Sequence, residues 1–226
     1  MYLSKLTMYG LGVLFILSIP VALLTTNLKL AFNSEHLYTL GFERYEISQA
    51  TRIPDSDLAQ VAQQLISYWN SDEPYFLHRF QGSLLYSDKE ITHLADVKNL
   101  VKGLHRVHWA SLGIIFLNIV LGLLLFRTVF LAKLMRQVCL GGIFTLALIV
   151  ITGVSLAVAF PALFRLFHEL SFANDFWQLD PRTDLLIQMF PEPFWYHSTM
   201  VVVLSTAAEA VVLMLIGWIG VKRLHR

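Results

Sequence analysis

Four apolar stretches, each about as long as a lipid bilayer is thick, most constrain the fold of this chain. Each provides roughly 20 helical residues, the number needed to cross a hydrocarbon core of about 30 Å at about 1.5 Å per residue. The chain is 56% hydrophobic and only 15% charged, whereas about a quarter of the residues in soluble domains are charged. We therefore predict four transmembrane helices, over residues 8–28, 107–130, 138–160 and 197–221.

Basic residues indicate which ends of these stretches face the cytoplasm, because short cytoplasmic segments hold an excess of Lys and Arg. They occur near the N-terminus, in the short second connection and at the C-terminus, as Lys5, then Arg127, Lys133 and Arg136, then Lys222, Arg223 and Arg226. We therefore predict cytoplasmic termini and two long extracytoplasmic connections. The first stretch is expected to remain as an anchor, because residues 24–27 lack the small-residue pattern of a signal-peptide cleavage site.

The first long connection, 29–106, is predicted to fold as a small mixed α/β extracytoplasmic unit, because a loop of that length is rarely plain coil. Aromatic and β-branched residues predict short strands within 35–47 and 75–86, with a turn at Gly82. Pro54 opens a helix-start signal. Apolar residues follow it at helical spacing, at Leu58, Val61, Ala62, Leu65 and Trp69.

The remaining residues, 1–28 and 107–226, are predicted to form the four-helix transmembrane domain, which includes the outer loop 161–196. The predicted fold class is thus an all-α membrane protein with one small unit between its first two membrane helices. Pro161 is expected to end or kink the third span, since an interior proline removes a helix hydrogen bond. The single cysteine, Cys139, lies at the cytoplasmic start of that span, which argues against thiol chemistry in the outer loops.

A histidine with acidic neighbours lies at the end of the first connection. Ser87 and Glu90 form a capping-box pattern, which predicts a helix over about 88–100. Residues three or four apart share a helix face, so Glu90, His93 and Asp96 are expected on neighbouring turns. A carboxylate beside an imidazole orients the ring, selects its tautomer and stabilises its protonated form.

The second connection combines a histidine, turn-forming polar residues and aromatic rings. His168 is followed by short side chains that bond neighbouring backbone groups in tight turns, namely Asn174, Asp175, Asp180 and Asp184. Their oxygens are also possible metal ligands, but turn building explains their spacing better, and we predict no metal site. The aromatic residues suit the headgroup level of a bilayer, and they are Phe172, Phe176, Trp177, Phe190, Phe194 and Trp195.

These two regions resemble the lipoprotein intramolecular transacylase family of bacterial integral membrane proteins. The similarity lies in residues 87–100, in 167–169 through 174–177, and in 180–184. It implies a four-span enzyme that moves the sn-2 acyl chain of a diacylglyceryl-modified cysteine onto that cysteine's own α-amino group, giving a lyso-form lipoprotein. It also implies functional histidines at His93 and His168.

Such a reaction needs few catalytic groups. The attacking amine needs a base to take its proton, and the departing glycerol oxygen needs an acid to protonate it. We predict His93 as a base that does both in turn, and His168 as a second catalytic or oxyanion-stabilising group. Supporting or substrate-binding roles are predicted for Asp96, Lys98, Asn99, Asn174, Asp175 and Trp177. The scheme requires no cofactor, and an unperturbed histidine base predicts loss of activity below about pH 6.5.

Structural interpretations of the same residues stay open. His93 on a capped surface helix would merely bond Asp96, and His168 would be an interface histidine beside Phe164 and Phe167. Salt bridges within the helix would likewise account for Asp96 and Lys98.

Glu209 supplies a competing hypothesis, because it is the one charged residue in the fourth stretch and lies near the predicted bilayer centre. A carboxylate there is costly and favours a proton-coupled transporter or channel. The simpler account is a protonated acid bonded to Asn118, Thr145 or a backbone carbonyl. A third possibility is a non-catalytic lipoprotein-binding protein. The predicted partners are diacylglyceryl-modified lipoproteins and membrane lipid, and a formal charge of +1 gives no sign of nucleic-acid binding.

Overall fold

The structure, a computed structural model, describes the backbone of residues 2–224 and the side chains of residues 9–224. The side chain of Lys5 and the whole of Arg226, two of the basic residues used for orientation, lie outside this part. The described chain is mostly helical and runs α1 (Tyr2–Phe32), α2 (Glu35–Arg44), α3 (Ile47–Thr51), α4 (Asp55–Trp69), β1 (Arg79–Phe80), β2 (Ser83–Leu84), α5 (Asp88–Ser171), α6 (Leu185–Met189) and α7 (Glu192–Leu224).

Three of these helices, α1, α5 and α7, are long and apolar enough to cross a membrane. Two predicted spans fall within α5, which is 84 residues long. Arg127 within it has a left-handed φ of 49°, which a right-handed helix does not adopt. The ring of Phe130 packs on the backbone of Gly122, so the chain folds back after Arg127. The count of four spans stays a prediction.

The chain forms two compact units. The first unit consists of Met1–Leu28, Leu104–Val158 and Val201–Arg226, and the second consists of Lys29–Gly103 and Ala159–Met200. Residues 161–196, predicted as an outer loop of the transmembrane domain, fall in the second unit, and the division into a transmembrane and an extracytoplasmic domain stays a prediction. The membrane boundaries themselves stay a prediction.

Polar side chains join the helices of the first unit. Its apolar core contains Phe15, Ile19, Phe130 and Leu134. On α1, the Thr25 hydroxyl lies 3.1 Å from Nδ1 of His108 on α5. Asn27 Nδ2, also on α1, donates to Glu209 Oε2 at 2.8 Å and to Thr206 Oγ1 at 3.2 Å, both on α7. The expected partners Asn118 and Thr145 of Glu209 are therefore wrong: Thr145 donates to the Gly141 carbonyl instead.

Glu209 is expected to act as a hydrogen-bond acceptor between two helices. Replacing Glu209 by leucine removes the acceptor for Asn27 and should cost about 1 kcal/mol, the usual size of such contacts in membranes. Glu209→Gln keeps a carbonyl acceptor and should cost little. Thermal unfolding in detergent checks this, with Asn27→Leu as the partner variant. Equal stability of Glu209→Leu and Glu209→Gln would contradict it. Loss of proton or solute flux in Glu209→Gln, with flux retained in His93→Ala, would favour the transporter hypothesis.

The first part of the second unit is helical where a strand was predicted. Residues 35–47 contain α2, whose first turn is capped by the Ser34 hydroxyl accepting from Leu37 N. The buried residues of α2 are Tyr38, Gly41 and Phe42, a spacing of three and four that only a helix presents to one side. The strand prediction for 35–47 is wrong because aromatic content was weighted above this periodicity.

The other predictions for the second unit agree better with the structure. Helix α4 forms at Asp55–Trp69 and buries the predicted apolar face. Strands β1 and β2 form a minimal antiparallel hairpin within 75–86, and Gly82 takes the turn with a φ of 86°. Pro161, however, does not end its helix, because α5 continues to Ser171. Phe160 and Phe164 stack across the proline at 5.4 Å, which supports the helix on both sides.

Candidate active site

The start of α5 fixes the position of His93. The Ser87 side chain accepts from Glu90 N, and Glu90 Oε2 accepts from Ser87 N at 2.8 Å and from Ser87 Oγ at 2.7 Å, so the predicted capping box is confirmed. His93 follows one turn later and is 7% exposed. A capped first turn resists fraying, and it therefore holds this imidazole in a defined place.

The second oxygen of Glu90 makes a contact that the sequence did not predict. Glu90 Oε1 accepts from the backbone N–H of Leu186 at 2.7 Å. Beside it, Lys89 Nζ donates to the Gln178 carbonyl at 2.6 Å and lies 3.5 Å from Asp184. The start of α5 is thereby fastened to the segment that follows Trp177.

His168 lies near the end of α5 in a fixed tautomer. Its Nδ1 is 2.7 Å from the Phe164 carbonyl oxygen. A carbonyl only accepts, so the proton lies on Nδ1, and the neutral ring carries its lone pair on Nε2. His168 is therefore oriented by a backbone contact and presents one free proton-accepting nitrogen.

The two imidazoles lie together inside a group of aromatic rings. The ring centroids of His93 and His168 are 6.0 Å apart, with 31° between the planes. Phe172 is 5.0 Å from His93, edge to face, and Trp177 is 5.2 Å from His168. Phe164 packs on His168 at 4.5 Å. Histidines that are seventy-five positions apart in the sequence thus share one apolar surrounding.

Glu90 and Asp96, the acidic neighbours of His93 along its helix, form hydrogen bonds with other groups. Both oxygens of Glu90 are occupied by Ser87 and Leu186. Asp96 Oδ2 accepts from Asn174 Nδ2 at 2.9 Å. Within the part of the chain that the structure describes, Nδ1 of His93 is buried and has no hydrogen-bond partner. A hydrogen bond from Nδ1 of His93 to Asp96, which the structural interpretation expected, is therefore not formed, although the charge of Asp96 still acts on the ring.

Burial determines the charge of both rings, which lie outside the predicted membrane spans. It lowers the pKa of His93 to about 4, helped by His168 and opposed by the negative charge of Asp96. Burial also lowers the pKa of His168, against the effect of the Phe164 carbonyl. Both imidazoles are therefore neutral at neutral pH, and the unperturbed value of about 6.5 does not apply.

Asn174 and Asp175 shape the turn between Phe172 and Trp177. Asn174 Oδ1 accepts from Phe176 N at 3.1 Å, while its amide group donates to Asp96. Asp175 accepts from the Gln178 side chain at 2.8 Å. These are the short-range bonds expected of turn builders, and they hold the two aromatic rings beside the imidazoles.

Lys98 and Asn99 point to other surroundings. The buried ammonium of Lys98 donates to Ser71 Oγ at 3.1 Å and to the Glu73 carbonyl at 2.5 Å, and it lies 4.0 Å from the centre of the Tyr68 ring. Burial lowers the pKa of Lys98. Asn99 has an exposed side chain. Lys98 thus stabilises the turn after α4, and its ammonium group donates to that turn rather than towards His93.

Comparison with known proteins identifies the family. A family model described as lipoprotein intramolecular transacylase Lit matches residues 13–195. The chain belongs to the lipoprotein intramolecular transacylase family. A relative in the same comparisons is an uncharacterized protein of Aquifex aeolicus (strain VF5), which is 26% identical over 142 residues. That match covers 62% of this chain and spans 60% of the length of the relative.

Solved structures of a transacylase have the same fold. The membrane-integral lipoprotein intramolecular transacylase from Bacillus cereus matches with a TM-score of 0.80 and 21% identity, over 97% of this chain and 98% of that chain. Two variants of it, in which one histidine is replaced by arginine or by alanine, match with a TM-score of 0.77. At this identity the likeness shows the fold alone. It agrees with the apolar helices in placing this chain in a membrane.

Proposed function

We propose that this protein is a membrane acyltransferase that moves the sn-2 acyl chain of a diacylglyceryl-cysteine lipoprotein to the lipoprotein's own N-terminal α-amino group. The observation that carries the proposal is the pair of neutral imidazoles, His93 and His168, at 6.0 Å in an aromatic surrounding. Membership of the transacylase family supports it. The product is the lyso-form lipoprotein.

The proposed reaction balances without any co-reactant. The amine nitrogen attacks the carbonyl carbon of the sn-2 ester, and a C–N bond forms. The C–O bond to glycerol breaks, the nitrogen loses one proton, and the glycerol oxygen gains one. The lipoprotein is thereby isomerised, so one imidazole that takes the first proton and returns it to the oxygen satisfies the whole exchange.

His93 is proposed as the proton-transferring base. A buried nitrogen without a partner costs about 1–3 kcal/mol, and Nδ1 of His93 is such an atom among the described residues. A substrate that donates to it or accepts from it removes that cost. With its pKa lowered to about 4, His93 is a weak base, so it is proposed to take the proton only as the C–N bond forms and the N–H becomes more acidic.

His168 is proposed as the second proton carrier. In its fixed tautomer the Nδ1–H is used by Phe164, and Nε2 carries a lone pair. The neutral ring therefore has no N–H to offer an oxyanion, and it serves that purpose only after it has been protonated. Of the two roles predicted from the sequence, catalytic or oxyanion-stabilising, this geometry supports the catalytic one, in proton exchange.

Tethering supplies much of the expected rate. Amine and ester belong to one molecule, and well-oriented intramolecular reactions save about 7–11 kcal/mol of barrier. A positioned base adds roughly 10²–10⁴ in rate. Holding the substrate still therefore matters more than acid–base chemistry, and the rings of Phe172 and Trp177 are proposed to do so.

The surrounding polar residues are proposed to position these groups. Asp96 and Asn174 join the His93 helix to the turn before Trp177, and Asp175 closes that turn. Lys98 is proposed as a supporting residue of the fold, and Asn99 as a surface contact for substrate. The site is proposed to face the extracytoplasmic side, with both termini in the cytoplasm.

Tandem mass spectrometry of a model lipoprotein tests the proposal. The lipoprotein is co-expressed with this protein in a bacterial host that does not otherwise N-acylate it. We expect an N-terminal lipopeptide of unchanged mass, whose fragments carry one N-linked and one O-linked chain. A gain of one acyl mass would indicate a phospholipid donor, and two O-linked chains would indicate no reaction. Either result overturns the proposal.

The pH profile is expected to lack the inflexion of an ordinary histidine. Below the pKa of the substrate amine, about 7.7–8.0, log kcat/KM should fall with a slope of one. Because burial lowers the pKa of His93 to about 4, the second slope should begin only as the pH falls towards that value. Activity assays between pH 4 and pH 9, with circular dichroism as a check on folding, measure this. A second slope near pH 6.5 would contradict it.

The link between Asp96 and Asn174 is expected to affect the rate as one unit. Asp96→Ala and Asn174→Ala each release the turn before Trp177, and a misplacement of about 1 Å costs up to ~10²-fold in rate. Because both remove the same bond, the double variant should be no slower than the slower single variant. Glu43→Ala is the control, because this acidic residue of the second unit has an exposed side chain and no part in the turn. Additive losses in kcat would contradict the link.

A further inference from the structure

The hairpin of the second unit has one buried and one exposed side. Phe76 and Tyr86, at its two ends, belong to the apolar core of the unit, and Phe80 packs against them. The opposite side is open, with exposed fractions of 63% for Leu77 and 41% for Leu84. The hairpin thus packs on the core through one side and exposes large apolar side chains on the other.

Strand register gathers the exposed residues into one surface. Arg79 and Leu84 are cross-strand partners, and such partners lie on the same face of a hairpin. Leu77 precedes Arg79 by two positions and shares that face, since side chains alternate along an extended chain. Tyr75, in the bend that leads into the hairpin, is 53% exposed and is included because it lies two positions before Leu77. We call Tyr75, Leu77, Arg79 and Leu84 the hairpin face.

The charge of this region is also distinctive. No Asp or Glu occurs between Glu73 and Asp88, so the hairpin face carries the positive charge of Arg79 and no negative charge. The Arg79 guanidinium donates to the Gly82 carbonyl at 3.0 Å, which keeps it close to the turn. Apolar and aromatic side chains beside a basic one suit the boundary between lipid headgroups and acyl chains.

The occupant that fits this face is a lipid surface. The protein is membrane-integral, so a bilayer is always within its reach. Each strand has only two residues, which offers an added peptide strand few backbone groups to pair with. At headgroup depth the hairpin's remaining backbone groups still find water, which they would lack in the hydrocarbon core.

We propose that the hairpin face inserts shallowly into the bilayer surface and contacts anionic headgroups through Arg79. This surface is separate from the imidazoles, and the proposal stands whether or not the chain transfers acyl groups. The side chains of Leu77 and Leu84 lie at the level of the upper acyl chains, while Arg79 lies among the phosphates.

Spin-label accessibility tests the depth of the hairpin face. Because Cys139 is the single cysteine, a Cys139→Ser background allows one label at a time, at Leu77→Cys or Leu84→Cys. The full-length protein is reconstituted into vesicles of phosphatidylethanolamine and phosphatidylglycerol. Collisions with oxygen report lipid, and collisions with a water-soluble nickel chelate report solvent. Phe116→Cys, exposed near the middle of the predicted span 107–130, is the lipid reference, and exposed Gln60→Cys is the water reference.

We expect the oxygen-to-nickel ratio at both hairpin positions to lie between the two references and to stay unchanged on tenfold dilution with lipid. A ratio equal to that of Gln60→Cys would show a solvent-exposed hairpin. If neither oxygen nor the nickel chelate reached the label, and dilution with lipid restored their access, the hairpin would contact another copy of the protein. Either of these results overturns the proposal.

Discussion

Replacing His93 by alanine is expected to lower the rate of N-acylation about 10²- to 10⁴-fold, the usual contribution of a positioned base. The buried imidazole has a pKa lowered to about 4 and is therefore neutral, and its Nδ1 has no hydrogen-bond partner among the described residues. His93→Gln should be as inactive as His93→Ala, because a side-chain amide does not act as a base at neutral pH. The rate is measured on a purified diacylglyceryl lipopeptide with the protein in detergent.

The matched control is His36→Ala, because this histidine also lies in the second unit but has an exposed side chain. It should keep the wild-type rate. Adding His168→Ala to His93→Ala should cost little more, since residues that act as a unit lose their effect together. Full activity in His93→Ala with an intact thermal transition would remove His93 from the chemistry and leave it a structural role.

Replacing Glu90 by alanine is expected to give the largest loss of stability. Its carboxylate satisfies Ser87 N, Ser87 Oγ and the buried N–H of Leu186. Each buried donor left without an acceptor costs about 1–3 kcal/mol, so we expect a loss of about 3 kcal/mol. Glu90→Gln keeps one acceptor oxygen, so its stability should lie between those of the wild type and Glu90→Ala. Thermal unfolding of the full chain in detergent measures the order of the three proteins.

Asp88→Ala is the control for this effect, because Asp88 is an exposed acidic residue in the same helical turn. It should cost a few tenths of a kcal/mol, the size of a favourable charge at a helix start. Equal stability of Glu90→Ala and Asp88→Ala would show that the link between α5 and Leu186 contributes nothing.

Local sequence signals predicted the parts of this protein that depend on near neighbours. The capping box at Ser87, the helix after Pro54 and the turn at Gly82 all involve residues within four positions of one another. The two histidines were identified from the family resemblance, and the structure places their rings at 6.0 Å. Their roles in the reaction stay a proposal.

Contacts between distant positions were not predictable in the same way. The bond from Leu186 to Glu90 spans 96 positions, and that from Asn174 to Asp96 spans 78. Sequence spacing suggested that both carboxylates serve His93, but Glu90 accepts from the backbone N–H of Leu186 and Asp96 accepts from the Asn174 amide. The pKa of His93 was likewise misjudged, since burial is a property of packing rather than of helical periodicity. The partner of Glu209 is on α1, far from the candidates considered.

A mixing experiment distinguishes isomerisation within one lipoprotein molecule from acyl transfer between two molecules. Two model lipopeptides of different sequence are made, one with deuterated and one with ordinary acyl chains, and both are incubated with the purified protein. Because amine and ester belong to one molecule, we expect every N-linked chain to carry the isotope of its own peptide. Deuterated chains on the nitrogen of the ordinary peptide, or no N-linked chain on either, would contradict it.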